Sequence, residues 1–326
     1  MNPVCRSFST IYQPVCSVFP GVFVVNDCPE AKDGYGCVFP GGWYNRRYRD
    51  TAEFGPVPGR ECEEEIMLEE KMDPRPIGVF DSGAGGISVL REIRKLMPWE
   101  SLVFFGDDAN APYGTKPQEQ VCALSQAAVR FLLEKDCKAV VIACNTATAA
   151  AAAFLREKYD MPIIGMEPAI KPAAALRKDG IVISMATPGT LGSRKYSDLM
   201  ARFGEGVVPL PCPGLMEFVE RGDLGSEELH AYLRQLFLPF GERRVDAVVL
   251  GCTHYVFLRR TIAAHFPPGT AIVDGNLGTA KQLARRLKET GLEASCDGQG
   301  AVQIYSSGGE ESLRTFRRLY EAEDEA

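Results

Sequence analysis

Beginning near Arg75, short apolar runs alternate with longer stretches in which apolar residues recur at helical spacing. The runs are rich in Val and Ile and are bounded by Gly, Pro or polar residues, which is typical of strands buried on both faces of a parallel sheet. This pattern predicts strands at residues 77–80, 102–105, 139–144, 162–165, 181–184, 207–210, 247–251, 271–273 and 302–305. It predicts helices at residues 87–97, 118–135, 146–159, 215–221, 226–237, 277–290 and 310–322.

The alternation of strands and helices predicts the α/β fold class. A second β-α-β series begins near Ile170. We therefore predict two similar α/β domains with mainly parallel sheets and the active site in the cleft between them. The first domain is predicted at residues 73–168 and 278–326, and the second at residues 169–277.

Residues 1–72 lack this rhythm and hold Pro, Gly, Tyr and Cys without clear periodicity. We predict that they form a poorly ordered N-terminal extension. Three explanations stay open: a true translation start at Met67 or Met72, a regulatory or partner-binding tail, or a locally packed extension.

Composition narrows the functional class. The chain has 326 residues, of which 45% are hydrophobic and 24% charged, as in an ordinary globular enzyme. A net charge of −7 with no compensating basic block argues against nucleic-acid binding. No apolar run reaches the roughly 18 residues of a membrane-spanning helix, so we expect no membrane partner. The 11 cysteines include no CxxC pair, which disfavours a zinc or redox-dithiol site, and their odd number favours a reducing, cytoplasmic location.

Two segments have similar sequences: residues 139–146 (AVVIACNT) and residues 247–254 (AVVLGCTH). Each is an apolar run that ends in a cysteine, Cys144 or Cys252, and continues in compact polar residues. In open α/β sheets, ligands bind beyond the carboxyl ends of the strands, where both cysteines fall. The duplication predicts a thiol on each side of one substrate. Such a pair can take a proton from one face of a carbon and return one to the other.

The residues that follow these cysteines suit the same chemistry. Asn145 and Thr146 open a predicted helix, where they offer donors to a carboxylate and favour a lowered pKa for the Cys144 thiol. His254, next to Thr253, lies two residues after Cys252 and can hold or return the proton of that thiol. Taken singly, a buried core thiol or a structural histidine is the alternative.

The turn that follows the first strand begins with Asp81 and Ser82 and continues through three glycines to Gly86. It resembles a dinucleotide fingerprint, but its third glycine position holds Ser88 and no Walker lysine follows, so nucleotide binding is disfavoured. We predict a tight turn whose N–H groups cradle a carboxylate. Asp81 would accept hydrogen bonds from an ammonium group or orient a thiol; an Asx-turn is the alternative.

Two further candidates rest on weaker signals. Tyr113 and Gly114 follow Pro112 in a loop that can present backbone amides to an anion, although a simple proline turn fits as well. Glu217 and Glu220 lie one turn apart on a predicted helix, so either can pair with His254, and a solvated helix face is the alternative.

With these residues identified, the chain from about Pro76 to Tyr320 resembles glutamate racemases, cofactor-independent enzymes that supply D-glutamate for bacterial cell-wall peptidoglycan. The matching segments occur in order and cover about three quarters of the chain: 78–86 (GVFDSGAGG), 105–107 (FGD), 112–116 (PYGTK), 143–148 (ACNTAT), 165–168 (GMEP), 186–190 (ATPGT) and 250–255 (LGCTHY). One departure is residues 108–110 (DAN), where many members have a Thr-Ala-Arg-like stretch. Residues 1–72 match nothing in the family.

The resemblance implies a set of roles. The implied catalytic residues are Cys144, Cys252, Asp81, His254 and Glu220. The implied substrate-binding residues are Asp81, Ser82, Tyr113, Gly114, Asn145, Thr146, Thr253 and His254. Cys144 would act on D-glutamate and Cys252 on L-glutamate, with Asp81 assisting the former and His254 and Glu220 the latter. The resemblance further implies a homodimer and neither cofactor nor metal.

Three other functions compete with this one. An aspartate or broad-specificity racemase on the same scaffold is the nearest, and the residues after Cys252 favour glutamate over it. An inactive ligand-binding sensor would bind glutamate without exchanging its α-proton. A metal-binding or redox protein is disfavoured by the missing CxxC pairs and histidine clusters.

Overall fold

The computed structural model describes the backbone of residues 23–27 and the chain from residue 72 to residue 322. Its strands are β1 (Phe23–Asp27), β2 (Ile77–Asp81), β3 (Leu102–Gly106), β4 (Ala139–Ile142), β5 (Ile163–Gly165), β6 (Ile181–Ala186), β7 (Val207–Pro211), β8 (Val245–Leu250), β9 (Ala271–Asp274) and β10 (Val302–Ser306). Its α-helices are α1 (Ile87–Leu96), α2 (Gln118–Glu134), α3 (Asn145–Lys158), α4 (Ile170–Leu176), α5 (Pro188–Leu191), α6 (Arg194–Phe203), α7 (Leu215–Glu220), α8 (Glu227–Phe237), α9 (Arg259–Ala263), α10 (Asn276–Thr290) and α11 (Glu310–Glu321).

The described strands form two sheets. The first has the order β1-β10-β3-β2-β4-β5, and every neighbouring pair in it is parallel except β1 with β10. All residues of β2, β3 and β4 are buried, because helices cover both faces of a parallel sheet. The second sheet has the order β7-β6-β8-β9 and is parallel throughout. The predicted fold class is confirmed.

The connectivity explains how the two sheets come to share a site. The chain completes β2 to β5 in the first sheet, builds β6 to β9 in the second, and returns so that β10 pairs with β3. Helix α10, on this return path, packs against α1 and β5 of the first sheet. The domain boundaries predicted from the sequence remain a prediction.

Several element boundaries differ from the predicted ones, and one difference matters for the site. Strand β4 ends at Ile142, two residues earlier than predicted, and helix α3 begins at Asn145. Cys144 is therefore the N-cap of α3, and its Sγ accepts a hydrogen bond from the Ala147 N–H. The apolar run misled the prediction because Ala143 and Cys144 are buried like the strand residues before them, although the strand ends at Ile142.

A buried ion pair lies at the amino ends of β3 and β4, which is the end of the first sheet remote from the cysteines. Lys138 precedes β4 and Glu100 precedes β3, and their side chains meet at 2.7 Å with almost no exposure to solvent. Glu100 also accepts the Ala294 N–H, and Lys138 donates to the Asp73 carbonyl. Removing either partner alone would leave an uncompensated buried charge, so we expect the loss of one of these side chains to destabilise the sheet at this end.

The predicted poorly ordered extension at residues 1–72 lies outside the described residues, apart from β1 and Met72. Strand β1 runs antiparallel to β10, with Phe23 opposite Ser306 and Asp27 opposite Val302. Within the described part of the chain, none of the helices has the length and apolar character needed to cross a membrane.

Candidate active site

A small, largely closed cavity lies where the carboxyl ends of the two sheets meet. The first domain contributes residues that follow β2, β3 and β4, and the second contributes residues that follow β6, β7 and β8. The lining residues are Ser82, Tyr113, Gly114, Cys144, Asn145, Thr146, Thr187, Thr190, Met216, Gly251, Cys252, Thr253 and His254. Both predicted cysteines thus border one cavity from different sheets.

The Cys144 thiol is surrounded by hydroxyl and carboxylate oxygens. Its Sγ lies 3.6 Å from Ser82 Oγ, and Ser82 Oγ lies 3.4 Å from Asp81 Oδ1. This arrangement forms a chain in which the thiol can donate to Ser82 and Ser82 to Asp81. Burial, reinforced by the charge of Asp81, raises the pKa of Cys144 to about 12, against the opposing Ala147 N–H and Ser82 hydroxyl. The lowered pKa expected from a helix N-terminus is therefore wrong, because burial outweighs the helix.

The Cys252 thiol has an imidazole beside it instead. Its Sγ lies 3.6 Å from Nδ1 of His254, and Nε2 of the same ring lies 2.6 Å from Oε1 of Glu220. Burial alone lowers the pKa of His254, but its hydrogen bonds to Cys252 and Glu220 outweigh burial and raise that pKa well above its usual value. The ring is thus held as an imidazolium between a thiol and a carboxylate. Glu220, rather than Glu217, is the glutamate that pairs with His254.

The glycine turn after β2 supports this dyad from the opposite domain. The Ala84 N–H donates to Glu220 Oε1 at 2.8 Å, and the Gly85 N–H points at His254 Nε2 from 3.2 Å. We assign the Nε2 proton to the bond with Glu220, because a short contact to a carboxylate is the stronger one. The turn therefore binds a carboxylate, as the sequence predicts. This carboxylate is the side chain of Glu220 and not a ligand.

Glycine is required at two positions of this turn by the groups that approach it. A Cβ at residue 83 would overlap the carboxylate of Glu220, and one at residue 85 would overlap Thr253 Oγ1 and the His254 ring. The absence of side chains here lets the second domain dock its catalytic candidates directly onto the backbone of the first.

Asp81 connects the two halves of the site. It is fully buried, and it accepts the Gly83 N–H at 2.9 Å and the Thr253 hydroxyl at 3.0 Å. Burial raises the pKa of Asp81, against the opposing charge of His254. Asp81 and Glu220 are the two sequence-predicted residues that do not line the cavity, and they act on it through Ser82, Thr253 and His254.

The far wall of the cavity is rich in neutral polar groups. The hydroxyls of Thr146, Thr187 and Thr190 lie within 3.1 to 3.2 Å of one another. Both amide atoms of Asn145 are buried and find no hydrogen-bond partner among the described residues. An unpaired buried amide that lines a cavity is suited to a polar ligand, since leaving it unpaired is unfavourable.

Sequence reasoning missed four lining residues: Thr187, Thr190, Met216 and Gly251. Thr187 and Thr190 follow β6 as Cys144 and its polar neighbours follow β4, and Thr187 is the N-cap of α5. This equivalent position after a strand was the available signal. Met216 carries no such signal, since a methionine on a short helix is usually core. In residues 72–322, no group of three or more His, Cys, Asp or Glu side chains is arranged to hold a metal ion.

The sequence of this chain is similar to those of known proteins. A model of the Asp/Glu/Hydantoin racemase family matches residues 77–283. The chain is 46% identical over 243 residues to the glutamate racemase of Clostridium perfringens, a match that covers 74% of this chain and 94% of that protein. It is 48% identical over 242 residues to the glutamate racemase of Clostridium botulinum, covering 73% of this chain and 94% of the relative.

Solved structures agree with these matches. A glutamate racemase from Francisella tularensis in complex with D-glutamate superposes with a TM-score of 0.66 at 28% identity, over 78% of this chain and 96% of that one. An Escherichia coli glutamate racemase in complex with L-glutamate and the activator UDP-MurNAc-Ala gives a TM-score of 0.63 at 35% identity, over 70% and 86%. These neighbours share the arrangement of two α/β domains.

Proposed function

This chain belongs to the Asp/Glu/Hydantoin racemase family and is an amino-acid racemase, and we propose that it interconverts L- and D-glutamate by proton transfer between two cysteines. One observation supports this proposal above the others: Cys144 and Cys252 approach a single cavity from the ends of two different sheets. Racemisation needs a base on one face of the α-carbon and an acid on the other, which this placement allows. The relatives named above carry the same activity in their names.

The remaining lining residues can hold an amino acid between the thiols. Asn145 has two unpaired polar atoms, and the hydroxyls of Ser82, Thr146 and Thr253 lie beside it in the cavity wall. The Asn145 amide and the Thr146 hydroxyl would bind the carboxylates of glutamate, since the hydroxyls of Ser82 and Thr253 already donate to Asp81. The α-proton of an amino acid is very weakly acidic, so the carbanion formed on its removal must be stabilised by fixed donors in a site that excludes water.

In the L-to-D direction, the proposed sequence starts with Cys252 as a thiolate beside the His254 imidazolium. The thiolate removes the α-proton of L-glutamate, and the electron pair left behind is stabilised through the substrate carboxylate. Cys144, held as a thiol, then gives its proton to the opposite face to form D-glutamate. Afterwards Cys252 carries a proton and Cys144 does not, and the D-to-L reaction runs the same steps backwards.

We further propose that the product serves peptidoglycan synthesis, that the enzyme works in the cytoplasm and that it forms a homodimer. These three statements rest on the resemblance of the chain to glutamate racemases. Size-exclusion chromatography with light scattering tests the last of them, since a homodimer has twice the 35.7 kDa mass of one chain.

The activity is tested by incubating the purified protein with L-glutamate in D2O without added cofactor. We expect the circular dichroism signal of the amino acid to decay to zero while deuterium enters the α-position of the product. L-Aspartate, run in parallel, should turn over far more slowly. Decay with aspartate but not with glutamate would reassign the substrate, and deuterium exchange with neither would contradict the proposal.

A further inference from the structure

Asp107 is a buried carboxylate that directly follows β3 and does not line the cavity. It is completely shielded from solvent. It accepts hydrogen bonds from the Tyr113 hydroxyl at 2.6 Å, from Asn110 Nδ2 at 2.9 Å and from Ser307 Oγ at 2.8 Å. Its own N–H donates to the Asp81 carbonyl at 2.9 Å, so its position is fixed to the strand that carries the site.

Tyr113, which makes the shortest of these hydrogen bonds, borders the cavity. Its side chain is 1% exposed, and burial, with the charge of Asp107, raises the pKa of its hydroxyl far above the usual value. That hydroxyl therefore stays protonated and donates a hydrogen bond to Asp107. A cavity-lining tyrosine is thus tied back into the first domain by its polar end.

The next residue brings the same loop against the second domain. A Cβ at Gly114 would lie 3.0 Å from Cβ of Thr187, and one at Gly189 would lie 2.7 Å from the Gly114 carbonyl oxygen. Residues 113 and 114 thus form the part of the cavity wall where the two domains touch. Any loosening of Tyr113 would alter the shape of the cavity at this seam.

We propose that Asp107 is a positioning residue that sets the substrate affinity of this site through Tyr113, an inference that rests on the proposed glutamate racemase function. Asp107 touches neither sulfur nor the cavity, so it acts only by holding the tyrosine ring and the peptide that follows it. Hydrogen bonds to a charged acceptor are about twice as strong as neutral ones, and this acceptor is buried. Since the proposed proton transfer runs through the two thiols and not through Tyr113, loss of the tether should weaken binding more than proton transfer.

The chain offers a matched control in Asp108. This neighbouring carboxylate anchors the same loop by accepting from Ser306 Oγ at 2.6 Å and from the Gly308 N–H at 3.1 Å. It does not contact Tyr113. If these carboxylates matter only because they anchor the loop, Asp107→Ala and Asp108→Ala should raise KM equally. If Asp107 acts by positioning Tyr113, only Asp107→Ala should raise KM.

The experiment measures kcat and KM for L-glutamate in the wild type, Asp107→Ala, Asp107→Asn, Tyr113→Phe, the double variant Asp107→Ala/Tyr113→Phe, and Asp108→Ala. Asp107→Ala should raise KM about tenfold or more with a smaller fall in kcat. Tyr113→Phe should also raise KM, and the double variant should be little worse than the worse single variant, because both changes remove one interaction. Asp107→Asn, which keeps an acceptor oxygen, should restore KM to within about threefold of the wild type.

Three results would overturn the inference: an effect of Asp107→Ala that is additive to that of Tyr113→Phe, an unchanged KM in Tyr113→Phe, or an equal rise of KM in Asp108→Ala. If Asp107→Ala does not fold, Tyr113→Phe and Asp107→Asn decide by the same criteria. An inactive wild type would instead refute the proposed function, and the two failures are thereby distinguished.

Discussion

The Cys144 and Cys252 halves of the site are built from nearly the same local sequence and differ in charge. Beyond Cys144 lie the Ser82 hydroxyl and a carboxylate, and these surroundings keep the proton on the thiol. Beyond Cys252 lies the His254 ring, whose pKa is raised by its two partners. The same strand-then-cysteine pattern therefore yields one thiol suited to donate a proton and one suited to accept it.

This difference has a kinetic meaning that follows from the substrate. L- and D-glutamate have equal free energies, so kcat/KM must be the same in both directions. Asymmetry between the two halves therefore appears only as proportional differences in kcat and KM between the two directions, with the higher kcat paired with the higher KM. The raised pKa of Cys144 disfavours the arrangement in which this thiol is deprotonated, and D-glutamate requires that arrangement.

The largest expected effect is the loss of either thiol. Cys144→Ser and Cys252→Ser should each lower racemisation about 10³-fold, since a hydroxyl is a far poorer proton donor and acceptor than a thiol. In D2O, Cys144→Ser should still exchange the α-proton of L-glutamate, and Cys252→Ser that of D-glutamate. Cys296→Ser, at an exposed free cysteine, is the control and should be unchanged. Full activity in either of the first two variants would refute the two-thiol mechanism.

Selective alkylation tests the charge difference directly. The two thiols are almost equally buried, at 7% and 8% exposure, so access does not distinguish them. Only a thiolate reacts with iodoacetamide, and a pKa of about 12 leaves Cys144 protonated until the pH approaches that value. At pH 7 we expect Cys252, which lies beside the His254 imidazolium, to be modified faster than Cys144, as read by peptide mass spectrometry, with Cys144 reacting only as the pH approaches about 12. Equal rates at neutral pH would remove the distinction between the halves.

Replacing Glu220 should make the two halves more alike. Glu220→Gln keeps the shape but removes the charge that holds His254 as an imidazolium, so we expect racemisation to fall about 10- to 30-fold. Alkylation of Cys252 at pH 7 should slow, because the positive charge beside it is lost, while that of Cys144 stays unchanged. Glu217→Gln, one turn earlier on α7 and exposed, is the matched control. A similar loss in both variants would show that helix α7 matters and the carboxylate does not.

How far the sequence predicts this site depends on whether the interaction is local. The strands, their carboxyl ends and the paired cysteines follow from short apolar runs and their polar followers. The choice of Glu220 over Glu217 does not, because it depends on where α7 docks against the glycine turn of the other domain. The raised pKa of Cys144 was likewise hidden, since nothing near it in the chain reveals that Asp81 is buried behind Ser82.

The tether between the halves should give the smallest effect. Ser88, on α1 of the first sheet, donates to the Gly85 carbonyl at 2.8 Å and lies 3.2 Å from the Thr253 carbonyl beside Cys252. Ser88→Ala should lower the free energy of unfolding by about 1 kcal/mol, measured by urea denaturation, and reduce activity only a few-fold. Gly278→Ala, in α10 with open space around its Cα, is a control that should not lower activity. Because Ser88 supports the Cys252 half alone, the deuterium exchange of D-glutamate in the Cys252→Ser background should be unaffected by it. Slower exchange of D-glutamate in that background would mean that Ser88 supports both thiols. The two halves of the site could then not be altered independently.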